Sequence, residues 1–369
     1  MLRYVFGFIA VTHLFLYLKL RSGFGGGWWG AAYVLWAVLC TATPFVSRMG
    51  YLGAGRPPEI AFALAFTWIA LVGMACVGFV FMDAATLAAR LIDWLAGTDF
   101  RAVFFDPRKS VPVTLLLLLA VVLYSYYEAW NVRRVDIVIE TPKLPEGTER
   151  LRIAHLTDVH LGGLYTTGRF RRVMDIVRLA EPDILVLTGD VVDGDMNFWE
   201  EEIELLASHG AKYGAFAVTG NHEVYVGVEK ASDFMSRAGV VLLRDAMANV
   251  AGIAILGLDD PAHRGRMAYG PQALPDGLHF PEDRFVLILK HMPQLIEGSE
   301  GKFDLQLSGH THGGQVWPFG RVTQWVNGHE QGLSNREGSA VYVSNGAGFW
   351  GPPLRFLTPP EVTVIDLVR

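Results

Sequence analysis

The sequence predicts an α/β domain in its C-terminal part, carried behind N-terminal multi-pass transmembrane helices. Two observations predict it. Residues 1–130 are dominated by apolar runs of near-bilayer length, whereas residues 131–369 alternate short apolar runs with amphipathic helical patterns. Several of the short runs end in Asp, Asn or His, as happens in α/β sheets, where ligands gather at the carboxyl ends of the strands. The chain has 369 residues, of which 51% are hydrophobic, and a mean hydropathy of +0.29. That is long for one domain and apolar enough to expect a membrane part.

Four stretches approach the roughly 20 residues that cross a bilayer. They are residues 4–20, 28–46, 60–82 and 111–130. Trp28, Trp29, Tyr124, Tyr126, Tyr127 and Trp130 stand at their ends, where interfacial aromatic residues belong. The first stretch is followed by Gly25-Gly26-Gly27 rather than a small-residue cleavage site, so it reads as retained. Residues 84–96 place Leu87, Leu91, Trp94 and Leu95 at helical spacing, interrupted by Arg90 and Asp93. That pattern suits either a helix lying in the interface or an ordinary connecting helix. Basic residues near the spans do not decide orientation by count. Arg133-Arg134, directly after the last span, favours a C-terminal domain on the cytoplasmic face.

The only cysteines, Cys40 and Cys76, fall inside predicted spans, which excludes a disulfide framework and a cysteine metal cluster near the soluble domain. A net charge of −6 gives no support for nucleic-acid binding.

The soluble domain begins near residue 131. Strands are expected at Val135–Glu140, Leu151–Leu156, Ile184–Thr188, Ala215–Thr219, Ile253–Leu258, Phe285–Leu289, Leu305–Ser308, Ala340–Ser344 and Val362–Leu367. Helical patterns fall at Thr167–Ala180, Trp199–His209 and Val228–Ala238.

Five motifs follow these runs in order: Asp158-Val-His160, Gly189-Asp190-Val-Val-Asp193, Gly220-Asn221-His222-Glu223, Lys290-His291-Met-Pro293 and Gly309-His310-Thr-His312-Gly313-Gly314-Gln315. Each alone is weak, because Gly-Asp and Gly-Asn are ordinary turn dipeptides. Together they supply carboxylates, imidazoles and an amide oxygen suited to two divalent ions about 3.5–4 Å apart. Two ligand carboxylates against two divalent ions leave the site cationic, so an anionic phosphate is still attracted. His13, His155, His209, His263, His279 and His329 have no partner at ligand spacing.

The ordered set resembles the calcineurin-like metallophosphoesterase superfamily, over residues 132–369. The Gly-His-Thr-His-Gly-Gly-Gln form, with the closing run Pro353-Leu-Arg355-Phe-Leu-Thr-Pro-Pro360-Glu361-Val-Thr-Val, is most similar to its bacterial, membrane-anchored YkuE-type branch. The resemblance implies an α/β/β/α sandwich, two sheets face to face with helices outside. It implies Asp158, His160 and His312 as ligands of one metal and Asn221, His291 and His310 as ligands of the other, with Asp190 shared between them. His222 is then a catalytic residue facing the phosphate, and Asp193 is its orienting partner. His, Asn and Asp ligation suits manganese, iron or zinc, with manganese favoured.

The implied activity is hydrolysis of a phosphodiester or pyrophosphate by a metal-activated hydroxide. Four spans exceed what an anchor needs, which points to a lipid-linked or amphipathic substrate and to membrane lipids as partners. A specific alternative is pyrophosphate hydrolysis of the UDP-2,3-diacylglucosamine type. The Gly348-Phe349-Trp350-Gly351 loop suits either acyl-chain contact or core packing. Relatives that act on phosphoproteins have Arg-Gly after Gly-Asp-x-x-Asp, whereas Asp193 is followed by Gly194-Asp195. That argues against a phosphoprotein substrate. A non-catalytic scaffold on the same fold would require missing ligands, and none is missing. Transport through the spans would require intramembrane ionisable groups, and His13 is the main one.

Overall fold

The structure is a computed structural model that describes residues 2–48, 56–97, 106–162, 167–194, 199–264, 272–336 and 338–369, without the side chains of 2–6, 44–48, 56–60, 62, 63, 263 and 264. It divides into two compact units, Met1–Tyr124 and Ser125–Arg369.

The first unit is helical: α1 (Leu2–Phe24), α2 (Trp29–Arg48), α3 (Arg56–Ala96) and most of α4 (Pro107–Trp130). Leu16, Val72, Ala75, Phe79 and Val111 are buried where α1, α3 and α4 meet. His13 is accounted for inside this packing: its Nδ1 lies 2.9 Å from the Ile9 carbonyl, and its Nε2 accepts from the Trp68 indole at 3.1 Å. Among the described residues, Leu64–Ala96 and Pro107–Trp130 are long and apolar enough to cross a bilayer. Among the described residues, Trp29–Thr43 of α2 is a further apolar stretch.

One expectation is corrected. Residues 84–96 do not form a separate helix; they continue the 41-residue α3 without a break. No Gly or Pro lies between Met82 and Leu95 to end it. Asp83, which reads in sequence as the end of the apolar run, is paired sideways with Lys19 at 2.5 Å.

Among its described residues, the second unit has twelve strands in two six-stranded sheets. The first sheet has β1 (Arg133–Glu140), β2 (Arg150–Leu156), β3 (Ile184–Thr188), β4 (Ala215–Val218), β5 (Val240–Leu242) and β12 (Glu361–Val368), in the order β1-β12-β2-β3-β4-β5. Only the β12–β2 pairing is antiparallel. The second has β6 (Ala246–Val250), β7 (Ile253–Gly257), β8 (Val286–Leu289), β9 (Leu305–Ser308), β10 (Gly332–Arg336) and β11 (Ser339–Val343), in the order β10-β11-β9-β8-β7-β6. Both its edge pairings are antiparallel and its centre is parallel.

The sheets bury their inner faces against each other. Ile153, Val186, Val218 and Ile365 of the first share one core with Ile255, Leu287, Leu305 and Tyr342 of the second. Over the outer face of the first sheet lie α5 (Thr167–Leu179), α6 (Glu200–Ala207) and α8 (Val228–Arg237), which bury Phe170, Val173, Leu206 and Phe234. The outer face of the second sheet is covered by Ile296, Phe303 and neighbouring loop residues. The near-continuous apolar runs of β3, β4, β7 and β8 follow from burial on both faces.

The last turn of α4 belongs to this second unit. Ser125 O accepts from the Arg355 amide at 2.9 Å, and Glu128 accepts from the Leu357 amide at 2.7 Å. Phe349 is buried beside Trp130 and packs on the Arg169 guanidinium, whereas Trp350 is 43% exposed.

Candidate metal centre

Every motif of the sequence lies just beyond the carboxyl end of a strand. Asp158 and His160 follow β2, Asp190 follows β3, and Asn221 opens the short helix α7 (Asn221–Val226) after β4. From the second sheet, His291 follows β8, while His310 and His312 follow β9. The site is therefore a seam where the carboxyl ends of two sheets meet. His291 reaches across it, its Nδ1 2.8 Å from the Thr188 carbonyl at the end of β3.

The loops are fastened to one another through the backbone. Asp158 N donates to Gly189 O at 3.0 Å, His160 N to Asp190 O at 2.9 Å and Gly309 N to His291 O at 2.9 Å. Such close approach explains two of the motif glycines. A Cβ on Gly220 would lie 2.2 Å from Asp190 Oδ1, and one on Gly309 would lie 2.0 Å from Asp158 Oδ2. Asp158, His160, Asp190, His310 and His312 all have positive φ, between 48° and 70°. Each such residue costs about 1–3 kcal/mol, so five together mark a site whose geometry is imposed by its surroundings.

Two groups of ligand atoms result, Asp158 with His160 and His312, and Asp190 with His291 and His310, each within 4.8 Å of one another. In the first group, His160 Nε2 is 2.9 Å from His312 Nε2, which is 3.3 Å from Asp158 Oδ1. In the second, His291 Nε2 is 3.1 Å from both His310 Nδ1 and Asp190 Oδ2. Asp190 Oδ2 is also 3.8 Å from His160 Nε2, so one carboxylate oxygen faces both groups. A third group joins His160, Asp193 and His222. Asp193 lies 3.0 Å from His222 Nδ1 and 3.3 Å from His160 Nδ1, so it touches two imidazoles rather than one.

The donor set fits divalent cations. Imidazole nitrogens and carboxylate oxygens converge within 4.8 Å of one another, the donor types that divalent transition metals take. Asn221 Oδ1 is buried with no hydrogen-bond partner, the state of an acceptor meant for a cation. Burial works against the Asp190 carboxylate, but His291 and His222 outweigh it and hold Asp190 well below the usual range. Burial likewise opposes charge on His291 and His222, and Asp190 overrides it, raising them to about 10 and about 9. The carboxylates thus attract positive charge, which protons supply when metal does not. Burial and His291 push His310 down to about 3, and burial and Arg355 push His312 far down, so both present the neutral ring that ligation needs.

Two further residues shape the centre, and sequence reasoning gave neither a role. Glu223 is fully buried and accepts four backbone N–H bonds, from Gly220 (2.7 Å), Asp190 (2.8 Å), Val191 (2.8 Å) and Val192 (3.1 Å). It pins the Asp190 loop to the start of α7. Arg355, also fully buried, donates to His312 O at 2.8 Å and to Gly348 O, and its Nη2 lies 2.9 Å from His312 Nδ1. Glu at the third position of a helix start was the available signal for Glu223. Arg355 had none beyond its place in the closing run.

A family model described as calcineurin-like phosphoesterase matches residues 151–314, which hold all the ligands proposed above. An uncharacterized metallophosphoesterase of Aquifex aeolicus is 34% identical over 250 residues, covering 66% of this chain and 95% of that one. The chain belongs to the calcineurin-like metallophosphoesterases. As a member, it is a metal-dependent phosphoester hydrolase of mixed α/β fold. The metallophosphoesterase YkuE of Bacillus subtilis is 28% identical, covering 66% of this chain and 87% of that one. A Danio rerio protein named as a transmembrane protein with a metallophosphoesterase domain is 26% identical over 338 residues, covering 81% of this chain and 74% of that one. Among the described residues, none of His13, His155, His209, His279 and His329 joins a ligand group, and the side chain of His263 lies outside the described residues.

Proposed function

We propose that this chain is a membrane-anchored, dinuclear phosphohydrolase that cleaves a phosphodiester or pyrophosphate bond in a lipid-linked or amphipathic substrate. In this reading Asp158, His160 and His312 hold one ion, Asn221, His291 and His310 hold the other, and Asp190 touches both. The observation that carries it is the position of Asp190 Oδ2, 3.1 Å from His291 and 3.8 Å from His160.

Two divalent ions bound here would polarise the phosphoryl oxygens and lower the pKa of bound water. The chain's residues supply the rest. His222 sits beside Asp190, with Nε2 4.0 Å from its Oδ2, at the rim of the ligand set. It is 12% exposed at its side chain, more open than His160 or His291, as a group that meets substrate should be. Its role is to deliver a proton to the leaving oxygen. Bound cations oppose protonation of His222, and Asp193, 3.0 Å from its Nδ1, sustains it. Glu223 and Arg355 hold the ligand loops in place.

The membrane anchoring rests on the two apolar helices, on the exposed Tyr126 and Tyr127 at the end of α4, and on the transmembrane relatives. Multi-pass insertion, with the catalytic unit on the cytoplasmic face, follows from the four apolar stretches and Arg133-Arg134. The short step from Trp130 to the first strand at Arg133 keeps the catalytic unit near the bilayer and favours a substrate presented there.

The test is a hydrolysis screen of the full chain in detergent, loaded in turn with manganese, iron and zinc, against model diesters, nucleotide-linked pyrophosphates and monoesters. Turnover of diester or pyrophosphate that is absent in Asp190→Asn is expected. No turnover with any metal, or turnover of monoesters alone, contradicts the reading.

A further inference from the structure

The helix α9 (Phe319–Asn327) is built inside out for a surface helix. Its one buried side chain is polar. Asn327 is buried, accepts from Gln294 Nε2 at 3.0 Å and donates to Thr323 O at 2.9 Å; Gln324 donates to Glu330 at 2.7 Å. Its apolar side chains face outward. Trp325 is 85% exposed, Val322 54%, Val326 48% and Phe319 38%. Positions 319, 322 and 326 recur at helical spacing, so these side chains form one stripe with Trp325 beside it. Single exposed apolar residues need no explanation, but a contiguous apolar stripe on a surface helix marks a contact face.

We propose that α9 is a membrane-docking helix, whose Phe319–Val326 face inserts into the headgroup region of the bilayer beside the end of α4. The inference rests on the membrane-anchored reading above. Three observations favour lipid as the occupant. First, the helix lies close to the end of an apolar, bilayer-length helix. Arg321 and Gln324 of α9 line the same cavity of about 280 Å³ as Leu357 and Thr358. Leu357, itself 57% exposed, is hydrogen-bonded through its amide to Glu128 on the last turn of α4. Tyr126 and Tyr127 on that turn are 51% and 64% exposed, as interfacial aromatics are. Second, the composition is interfacial: Trp, Phe and two Val, with the exposed cation Arg321 on the same helix. Third, four side chains on a nine-residue helix fall far short of the roughly 800 Å² per partner that a stable protein interface buries.

The helix is also tied to the metal centre. Its first turn packs backbone to backbone on the His312–Gly314 turn, where a Cβ on Gly314 would lie 2.2 Å from Gly320 N. Docking α9 therefore fixes the height of the His310–His312 loop above the bilayer, and a phosphate at headgroup depth becomes the group within reach.

The test uses the full chain with Cys40→Ser and Cys76→Ala, reconstituted in phosphatidylcholine–phosphatidylglycerol vesicles. Single labelling sites are made by Val322→Cys on α9, Leu117→Cys on α4 and Arg172→Cys on α5, each carrying an environment-sensitive fluorophore. Lipid-borne nitroxides and aqueous iodide serve as quenchers. The proposal expects the Val322→Cys label to be quenched by nitroxide lipid and shielded from iodide, with the reverse for Arg172→Cys. If the Leu117→Cys label is lipid-quenched while the Val322→Cys label is iodide-quenched, the docking proposal fails and the membrane reading stands. If the Leu117→Cys label is not lipid-quenched, the membrane reading itself fails and takes the proposal with it. A Val322→Cys label shielded from both quenchers, with self-quenching that grows with protein density, would mean that a second copy covers α9 and would overturn the lipid assignment.

Discussion

Glu223→Gln should damage the metal centre without touching a metal ligand. Each carboxylate oxygen of Glu223 takes two amide protons: Oε2 those of Gly220 and Asp190, Oε1 those of Val191 and Val192. Burial and the Asp190 charge push the Glu223 carboxyl up, while these donors favour its ionised form. All four bonds need an acceptor. Glutamine keeps one oxygen and presents an NH2 group to the other pair, leaving two buried amides facing a donor. At about 1–3 kcal/mol for each buried donor left unsatisfied, the cost is roughly 2–6 kcal/mol. For a domain of this size that lowers Tm by roughly 5–20 °C. The Asp190 loop and the start of α7 lose the pin they share, so metal content falls with stability. Thermal unfolding of the metal-loaded and stripped protein, with elemental analysis of each, reads both effects. A Glu223→Gln protein that melts within about 2 °C of the parent and retains full metal would refute the reasoning.

Three other outcomes are expected. His222→Asn should keep its metals yet turn over roughly 100-fold or more slowly, with a smaller loss for substrates whose leaving groups need no proton; loss of metal would make His222 a ligand instead. Arg355→Met should strip donors from His312 O, Gly348 O and Thr358 O, at about 1–3 kcal/mol for each buried acceptor left bare, and a Tm close to that of the parent would show that these bonds are not structural. His155 is fully buried between the sheets, and burial holds it down to about 3, against roughly 6.5 in an unfolded chain. The unfolded chain therefore takes up a proton that the folded one refuses, so stability present above about pH 6.5 is lost as pH falls towards 3, by up to about 1.4 kcal/mol per unit. Denaturation midpoints of His155→Gln should fall less steeply with acid than those of the parent, and parallel slopes would remove His155 as a cause.

The central strands were legible because burial on both faces writes them as apolar runs, Ile184–Thr188 and Val286–Leu289 among them. The ligands were legible for a related reason: each ends such a run, where a polar residue has no core role. What was missed lacks that contrast. The edge strands Ala246–Val250 and Gly332–Arg336 are half exposed and carry little apolar signal, and the three-residue Val240–Leu242 is too short to show one. The six-residue helix at Asn221 hides inside its own motif. In α9 the apolar positions face away from the core, so the periodicity that marks a packed helix is present but inverted. The boundary expected at Asp83 reflects a different limit, since a charge within an apolar run reads as an end unless its partner is known, and Lys19 lies 64 residues away in sequence. Nor does sequence announce that Glu223 would gather four amides, because three of them come from another loop.

The account rests most directly on Asp190 as the ligand common to two ions. Metal-to-chain stoichiometry, measured by elemental analysis on purified parent and Asp190→Asn proteins, tests it. Two ions per chain in the parent, and loss of metal together with turnover in Asp190→Asn, are expected. One ion in the parent, or two retained in an active Asp190→Asn protein, would contradict it.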